Sequence, residues 1–280
     1  MTHKSPYHIL VFDSGVGGLS LVGHIRSQLA QVKITYLADN AGFPYGLLSE
    51  NELINRTKKL ILSTCDQQQP DLVVIGCNSA STLVLPHLRQ QLAIPVVGVV
   101  PAIKPAAMKS QSKVIGLLAT PGTIQRDYTN ELIKDFANDC EIVRVGSNEL
   151  VEAIEKRLNG VEYDRKLFTR ITQQFAEQLN GTLMDTVVLA CTHFPHAKEE
   201  LQTAMPFVKH WVDSGTAIAQ RVTNLLTEQE HHNDNDNSTT NCNDFAYFTA
   251  AEALSPSFKE NLKKFGFHDV IPAKVTIKAI

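Results

Sequence analysis

The sequence predicts an α/β protein of two similar domains, each a mostly parallel sheet flanked by helices. Three observations carry that expectation. Short runs rich in Val, Ile and Leu alternate with longer stretches of helical period. The short runs are apolar almost throughout, as strands covered on both faces must be. The alternation then restarts after Pro101, as a chain of two α/β units would.

In the first unit, residues 9–12, 34–37, 72–75 and 96–99 read as strands. The stretch 52–67 reads as a helix, because Leu53, Ile54, Leu60 and Ile61 share helical spacing. In the second unit, 114–118, 141–145 and 186–189 read as strands, and 124–137, 149–158 and 167–179 as helices. From residue 208 the chain reads as a strand, a helix over 217–226, a polar stretch EQEHHNDNDNSTTNCND and a short helix around 258–264. The tail is expected to pack back on the first unit, giving domains of 1–102 plus 213–280 and of 103–212.

The two units also look alike. HILVFDSGVGGLS opens the first and KVIGLLATPGTIQ the second, and each later brings a strand to a cysteine, VVIGCNSAS at Cys77 and VVLACTHFP at Cys191. A duplicated domain is the economical reading. It leads to the expectation of pseudo-two-fold symmetry, with the active site in the cleft between the halves.

Composition narrows the function. A 43% hydrophobic and 20% charged share is that of a soluble globular protein. A net charge of −3 with scattered Lys and Arg offers no footprint for nucleic acid. No apolar run is long enough for a membrane span, and MTHKSPYH lacks a signal peptide's apolar stretch, so a cytoplasmic protein is expected. Five cysteines, an odd count in a chain that needs no staples, suit a reducing compartment. Cys65, Cys140 and Cys242 fall on a helix face, a strand edge and a polar loop. Without any CxxC spacing, structural zinc is not expected. His231 and His232 alone make a poor metal site, and the polar stretch around them reads as a disordered surface loop.

Ligands of open parallel sheets bind beyond the carboxyl ends of the strands. Those ends carry Asp13 and Ser14, Asp39 and Asn40, Cys77 with Asn78 and Ser79, and in the second unit Cys191, Thr192 and His193. Both cysteines precede an expected helix start, where peptide dipoles favour a thiolate, and Asn78, Ser79 and Thr192 are available as caps. Two thiols aimed at one ligand suit the inversion of a stereocentre: one removes the Cα proton from one face, and the other returns a proton to the opposite face.

The neighbouring residues are locally ambiguous. Asp13 fits either a site or a turn before Gly15, and Asp39 fits a site, a cap or a turn. His193 follows Cys191 by two, so in an extended chain both side chains point the same way. Glu152 lies on a helical stretch where a solvated carboxylate is the default, and Tyr45 with Gly46 lies in a PYG turn. DSGVGG is not GxGxxG and supports no dinucleotide site; its glycines either admit a carboxylate to the backbone or simply make the turn. The second DSG, at 213–215, reads as a strand-end turn and helix cap.

VFDSGVGGLS, LADNAGFPYG, GCNSAS, GVVPAIKPAA, LLATPGT, LACTHFP and VDSG stand in this order along the chain. The ordered set resembles the bacterial glutamate racemases of the aspartate/glutamate racemase superfamily, from about His8 to Leu226 and more loosely beyond. The resemblance implies a cofactor-independent isomerase, using neither pyridoxal phosphate nor metal, that interconverts L-glutamate and D-glutamate and supplies D-glutamate for peptidoglycan. It implies Cys77 as the base for D-glutamate and Cys191 as the base for L-glutamate. Asp13 and His193 would assist the two thiols, and Glu152 would be a further acidic residue near the second. Asp13 with Ser14, Tyr45 with Gly46, Asn78 with Ser79, and Thr192 with His193 would hold the substrate's amino and carboxylate groups.

Ser79 departs from the usual threonine, keeping the hydroxyl and losing a methyl. GVVPAIKPAA and the tail resemble the Gram-negative type, some members of which are activated by a UDP-linked muramyl peptide precursor, so the resemblance makes such a precursor a candidate activator; a homodimer is the default assembly. Three alternatives stay open on residues alone: a racemase for aspartate or another amino acid, a two-domain binding or redox protein, and a cysteine hydrolase.

Overall fold

The structure, a computed structural model, describes residues 7–230 and 244–273. The described residues up to Val99 and from Gly215 onward form one compact unit, and Val100–Ser214 form the other.

The first unit opens with β1 (Tyr7–Asp13), α1 (Leu19–Gln28) and β2 (Val32–Ala38). It continues through α2 (Glu50–Gln68), β3 (Leu72–Ile75), α3 (Asn78–Arg89) and β4 (Val96–Gly98). Helix α2 starts where the sequence supplies a capping box: Ser49 accepts a hydrogen bond from the amide of Glu52. Such a cap contributes about 1 kcal/mol.

The second unit holds α4 (Ile103–Lys109), β5 (Val114–Ala119), α5 (Pro121–Gln125), α6 (Asp127–Phe136) and β6 (Glu141–Gly146). After these come α7 (Asn148–Leu158), α8 (Lys166–Ala176), β7 (Thr186–Ala190), α9 (Lys198–Ala204) and β8 (His210–Val212). The chain then returns to the first unit as α10 (Gly215–Glu230), β9 (Phe245–Phe248), α11 (Pro256–Lys264) and β10 (Asp269–Pro272).

All strand pairs are parallel. The first sheet has the order β10-β9-β2-β1-β3-β4 and the second β6-β5-β7-β8. Setting aside β9 and β10, the two orders are the same, with β1 matching β5 and β3 matching β7. The continuous apolar runs are explained by burial on both faces. Leu10, Phe12, Val73 and Ile75 pack with Leu60, Ile61 and Val84 of α2 and α3, while Ile9, Val11, Leu72 and Val74 on the other face are equally buried. Each such side chain contributes about 1.5–3 kcal/mol of burial free energy. In the second unit Ile115, Leu117, Val188 and Ala190 pack with Ile103 and Ala106 of α4.

The structure differs from the sequence reading in two places. The helix expected over 124–137 is two helices, because Arg126 between them is extended; the Thr129 hydroxyl donates to the carbonyl of Thr123 there. The tail adds two strands, β9 and β10, to the first sheet. The DSG at 213–215 lies, as read, between the end of β8 and the start of α10, and its Ser214 hydroxyl donates to the carbonyl of Val100. His231, His232 and Cys242, with most of the polar stretch expected as a loop, lie outside the described residues. Among the described residues no helix is long and apolar enough to cross a membrane.

Candidate active site

In the first unit, β1 and β3 deliver the candidate residues side by side. Phe12 stands opposite Ile75 in the parallel register, so two residues further on Ser14 stands opposite Cys77. The Ser14 hydroxyl and the Cys77 thiol are 3.6 Å apart. Asp13, fully buried, accepts from the amide of Gly15 at 2.9 Å, and its carbonyl accepts from the amide of Asp39. Gly18 permits this packing: a Cβ there would lie 3.0 Å from Cβ of Asp13 and 3.1 Å from the Tyr36 hydroxyl.

Cys77 is 7% exposed and is itself the N-cap residue of α3, the end where peptide dipoles favour negative charge. Asn78 and Ser79, expected as possible caps, are instead the first helical residues. The Asn78 side-chain nitrogen is buried and has no acceptor among the described residues. Ser79 is buried beside it. An orphaned buried donor costs about 1–3 kcal/mol unless a ligand takes it.

Tyr45 and Gly46 lie on a single 3-10 turn after a cis Phe43–Pro44 peptide. Tyr45 is 2% exposed and donates its hydroxyl to Asp39 at 2.7 Å. Burial, together with the facing Asp39 carboxylate, pushes that hydroxyl well above the usual tyrosine range, so it stays a donor. Phe12, Tyr45 and Cys77 belong to one buried cluster.

In the second unit Ala119 stands opposite Ala190, which brings Thr120 abreast of Cys191 as Ser14 is abreast of Cys77. Thr120 is buried and caps α5, accepting from the amide of Thr123, and the two hydroxyls are 2.9 Å apart. The sequence reading missed Thr120 as a site residue, although it lies in the LLATPGT motif at a strand end.

Cys191 and Thr192 are buried. The expected helix start after Cys191 is a 3-10 turn, Phe194–Ala197, with α9 only after it, and His193 rather than Thr192 holds the cap position. His193 is helical at φ −71° and ψ −37° rather than extended. The turn still brings its Nδ1 to 3.8 Å from the Cys191 sulfur.

The other ring nitrogen, Nε2, is 2.7 Å from Glu155 Oε2. Burial opposes a charge on this ring, but the contacts to Cys191 and Glu155 outweigh burial and hold the imidazole well above its usual range. Arg157, two residues on along α7, donates to the carbonyl of His196 and to Glu200, tying the 3-10 turn to the same helix.

These paired arrangements fit a known family. The chain matches the model of the Asp/Glu/Hydantoin racemase family over residues 17–222. It belongs to that family. The glutamate racemase of Shewanella loihica is 51% identical over 219 residues, covering 78% of this chain and 81% of the relative. That of Shewanella woodyi is 46% identical over 259 residues, covering 92% and 95%. The crystal structure of Escherichia coli glutamate racemase, in complex with L-glutamate and the activator UDP-MurNAc-Ala, superposes with a TM-score of 0.87 at 39% identity, covering 97% of this chain and 100% of that one.

As a member of the Asp/Glu/Hydantoin racemase family the chain is an isomerase. Within this racemase the carboxylate that meets His193 is Glu155, a residue the sequence reading did not single out. Glu152 is half-buried one helical turn earlier, and its carboxylate has no hydrogen bond or ion pair among the described residues. Among those residues no group of three or more His, Cys, Asp or Glu could hold a metal ion.

Proposed function

We propose that this racemase interconverts L-glutamate and D-glutamate by two-base proton transfer at Cα, with neither pyridoxal phosphate nor metal. The observation that carries the proposal is the repetition of one arrangement. In two sheets of matching strand order, a buried cysteine follows the same strand and stands abreast of a hydroxyl residue at the end of the same neighbour, Ser14 for Cys77 and Thr120 for Cys191, with Ser14 3.6 Å from Cys77 and His193 3.8 Å from Cys191. For L-glutamate, the Cys191 thiolate takes the Cα proton and the Cys77 thiol donates its own proton to the opposite face. The bond broken is Cα–H, the bond formed is a new Cα–H of inverted configuration, and the two sulfurs exchange protonation states. For D-glutamate the roles reverse. Two thiols suit this because each can act as base or acid near neutral pH.

In this reading Asp13 assists Cys77 and His193 assists Cys191, with Glu155 orienting the imidazole. Asn78 gives its orphaned amide N–H to the substrate, and Ser14, Ser79, Thr120, Thr192 and the main chain of Tyr45 and Gly46 complete the contacts. Glutamate is favoured as substrate by the named relatives and by the ligand in the E. coli complex. D-glutamate made this way would feed cytoplasmic peptidoglycan precursors, and a UDP-linked muramyl peptide is the expected activator.

Proton NMR of L-glutamate and D-glutamate in D₂O, with purified protein and no cofactor, tests the proposal. Loss of the Cα proton signal with appearance of the other enantiomer is expected. Turnover of aspartate alone would move the substrate assignment. Exchange with neither amino acid, in the presence of UDP-MurNAc-Ala, would overturn the reading.

A further inference from the structure

Asp39 was ambiguous between site, cap and turn; in the fold it is a fully buried carboxylate at the end of β2. Four hydrogen bonds converge on it. Arg56 of α2 donates from Nε at 2.6 Å and from Nη2 at 2.8 Å, one to each oxygen. The Tyr45 hydroxyl donates at 2.7 Å and the Thr249 hydroxyl at 2.8 Å.

Thr249 immediately follows β9, so the tail of the chain reaches the same carboxylate. Its hydroxyl also accepts from the amide of Ala41, while Asn40 exchanges two hydrogen bonds with the main chain of Ala250. Gly42 leaves the room: a Cβ there would lie 2.4 Å from Arg56 Nε and 2.8 Å from Asp39 Oδ2. The turn that ends in Tyr45 and Gly46 is thus hung on one ion pair from α2 and one hydroxyl from the tail. With the Tyr45 hydroxyl given to Asp39, what this turn offers a substrate is main chain, and main-chain donors serve only if the turn is held still.

We propose that Arg56 and Thr249 are positioning residues for substrate binding, acting through Asp39 to fix the 39–46 turn. The proposal rests on the reading that Tyr45 and Gly46 contact glutamate. It separates the roles of the two halves of the first unit: Cys77 and Asp13 serve proton transfer, and the Asp39 network serves affinity.

The test is steady-state kinetics with L- and D-glutamate, alongside thermal melting, on Arg56→Lys, Thr249→Val and Thr249→Ser. Arg56→Lys keeps the charge and loses the two-pronged geometry, so KM for both enantiomers is expected to rise about tenfold while kcat changes less than about threefold. Thr249→Val should move KM in the same direction, and Thr249→Ser, which keeps the hydroxyl, should restore it. Unchanged KM in the folded fraction, with only a lower melting temperature, would mean a merely structural role and overturn the proposal. If Arg56→Lys does not fold, the Thr249 pair decides alone by the same criterion. A wild-type protein that turns over no glutamate would instead remove the reading beneath it, whatever the variants do.

Discussion

Both nitrogens of the His193 ring are engaged, one toward the Cys191 sulfur and one toward Glu155. A carboxylate behind an imidazole fixes its tautomer and orientation and raises its basicity. Glu155→Gln is therefore expected to lower turnover at least about tenfold, whereas Glu152→Gln should stay within about twofold, as measured by enantiomer interconversion. The pH dependence has a definite sign. Because the folded value lies above the ordinary 6.5, the stability contributed by the imidazolium is complete below 6.5 and is lost as pH rises through the folded value. Glu155→Gln should lower the His193 titration seen by NMR and narrow that window. The sequence could point to His193 by its spacing from Cys191, and the resemblance named Glu152, but nothing in the residues singled out Glu155. They are three apart on one helix, so both border the same face, and only the packing of α7 against the 3-10 turn selects the second.

Strands β1 and β3 do more than carry the site, since their burial also sets how the sheet responds to acid. His8 on β1 lies against the Thr35 hydroxyl of β2 at 2.8 Å. Burial, with Lys33 adding a smaller push, lowers its imidazole from 6.5 to about 4. Between these values the unfolded chain binds a proton that the folded chain refuses. Stability from this residue is thus complete above 6.5 and is lost as pH falls toward about 4. Urea unfolding at pH 7 and at pH 4.5 should show a falling midpoint, and His8→Gln should flatten the fall. At this scale the parallel strands of the two cores were legible, because near-continuous Val, Ile and Leu runs have few other uses. The break at Arg126 was not legible. Ile124, Leu132 and Ile133 keep an unbroken helical period across it, and the hydroxyl of Thr129 that bonds across it leaves no mark in the pattern. Strand β9 was missed because its FAYF follows the polar stretch directly and lacks the Val, Ile and Leu run that marked the other strands.

The whole molecule repeats one plan, and the repeated cysteine strand ends make that plan readable in the sequence alone. What the repetition could not reveal is how differently the two copies are furnished. If both thiols serve one substrate within one chain, then Cys77→Ser and Cys191→Ser should each abolish racemisation, and mixing the two variants should restore none of it; recovered turnover on mixing would mean that the thiols come from different chains. The unequal furnishing has its own consequence. Cys77 faces a serine hydroxyl beside a buried aspartate, while Cys191 faces an imidazole backed by a glutamate. Mirror-image amino acids in water have identical free energies, so the equilibrium constant of the reaction is one and kcat/KM must be equal in the two directions. No substitution in either unit can favour net production of one enantiomer. The asymmetry of the protein can appear only in how each direction divides a shared kcat/KM between saturation and speed, and any lasting net flow toward D-glutamate must be drawn by the reactions that consume it.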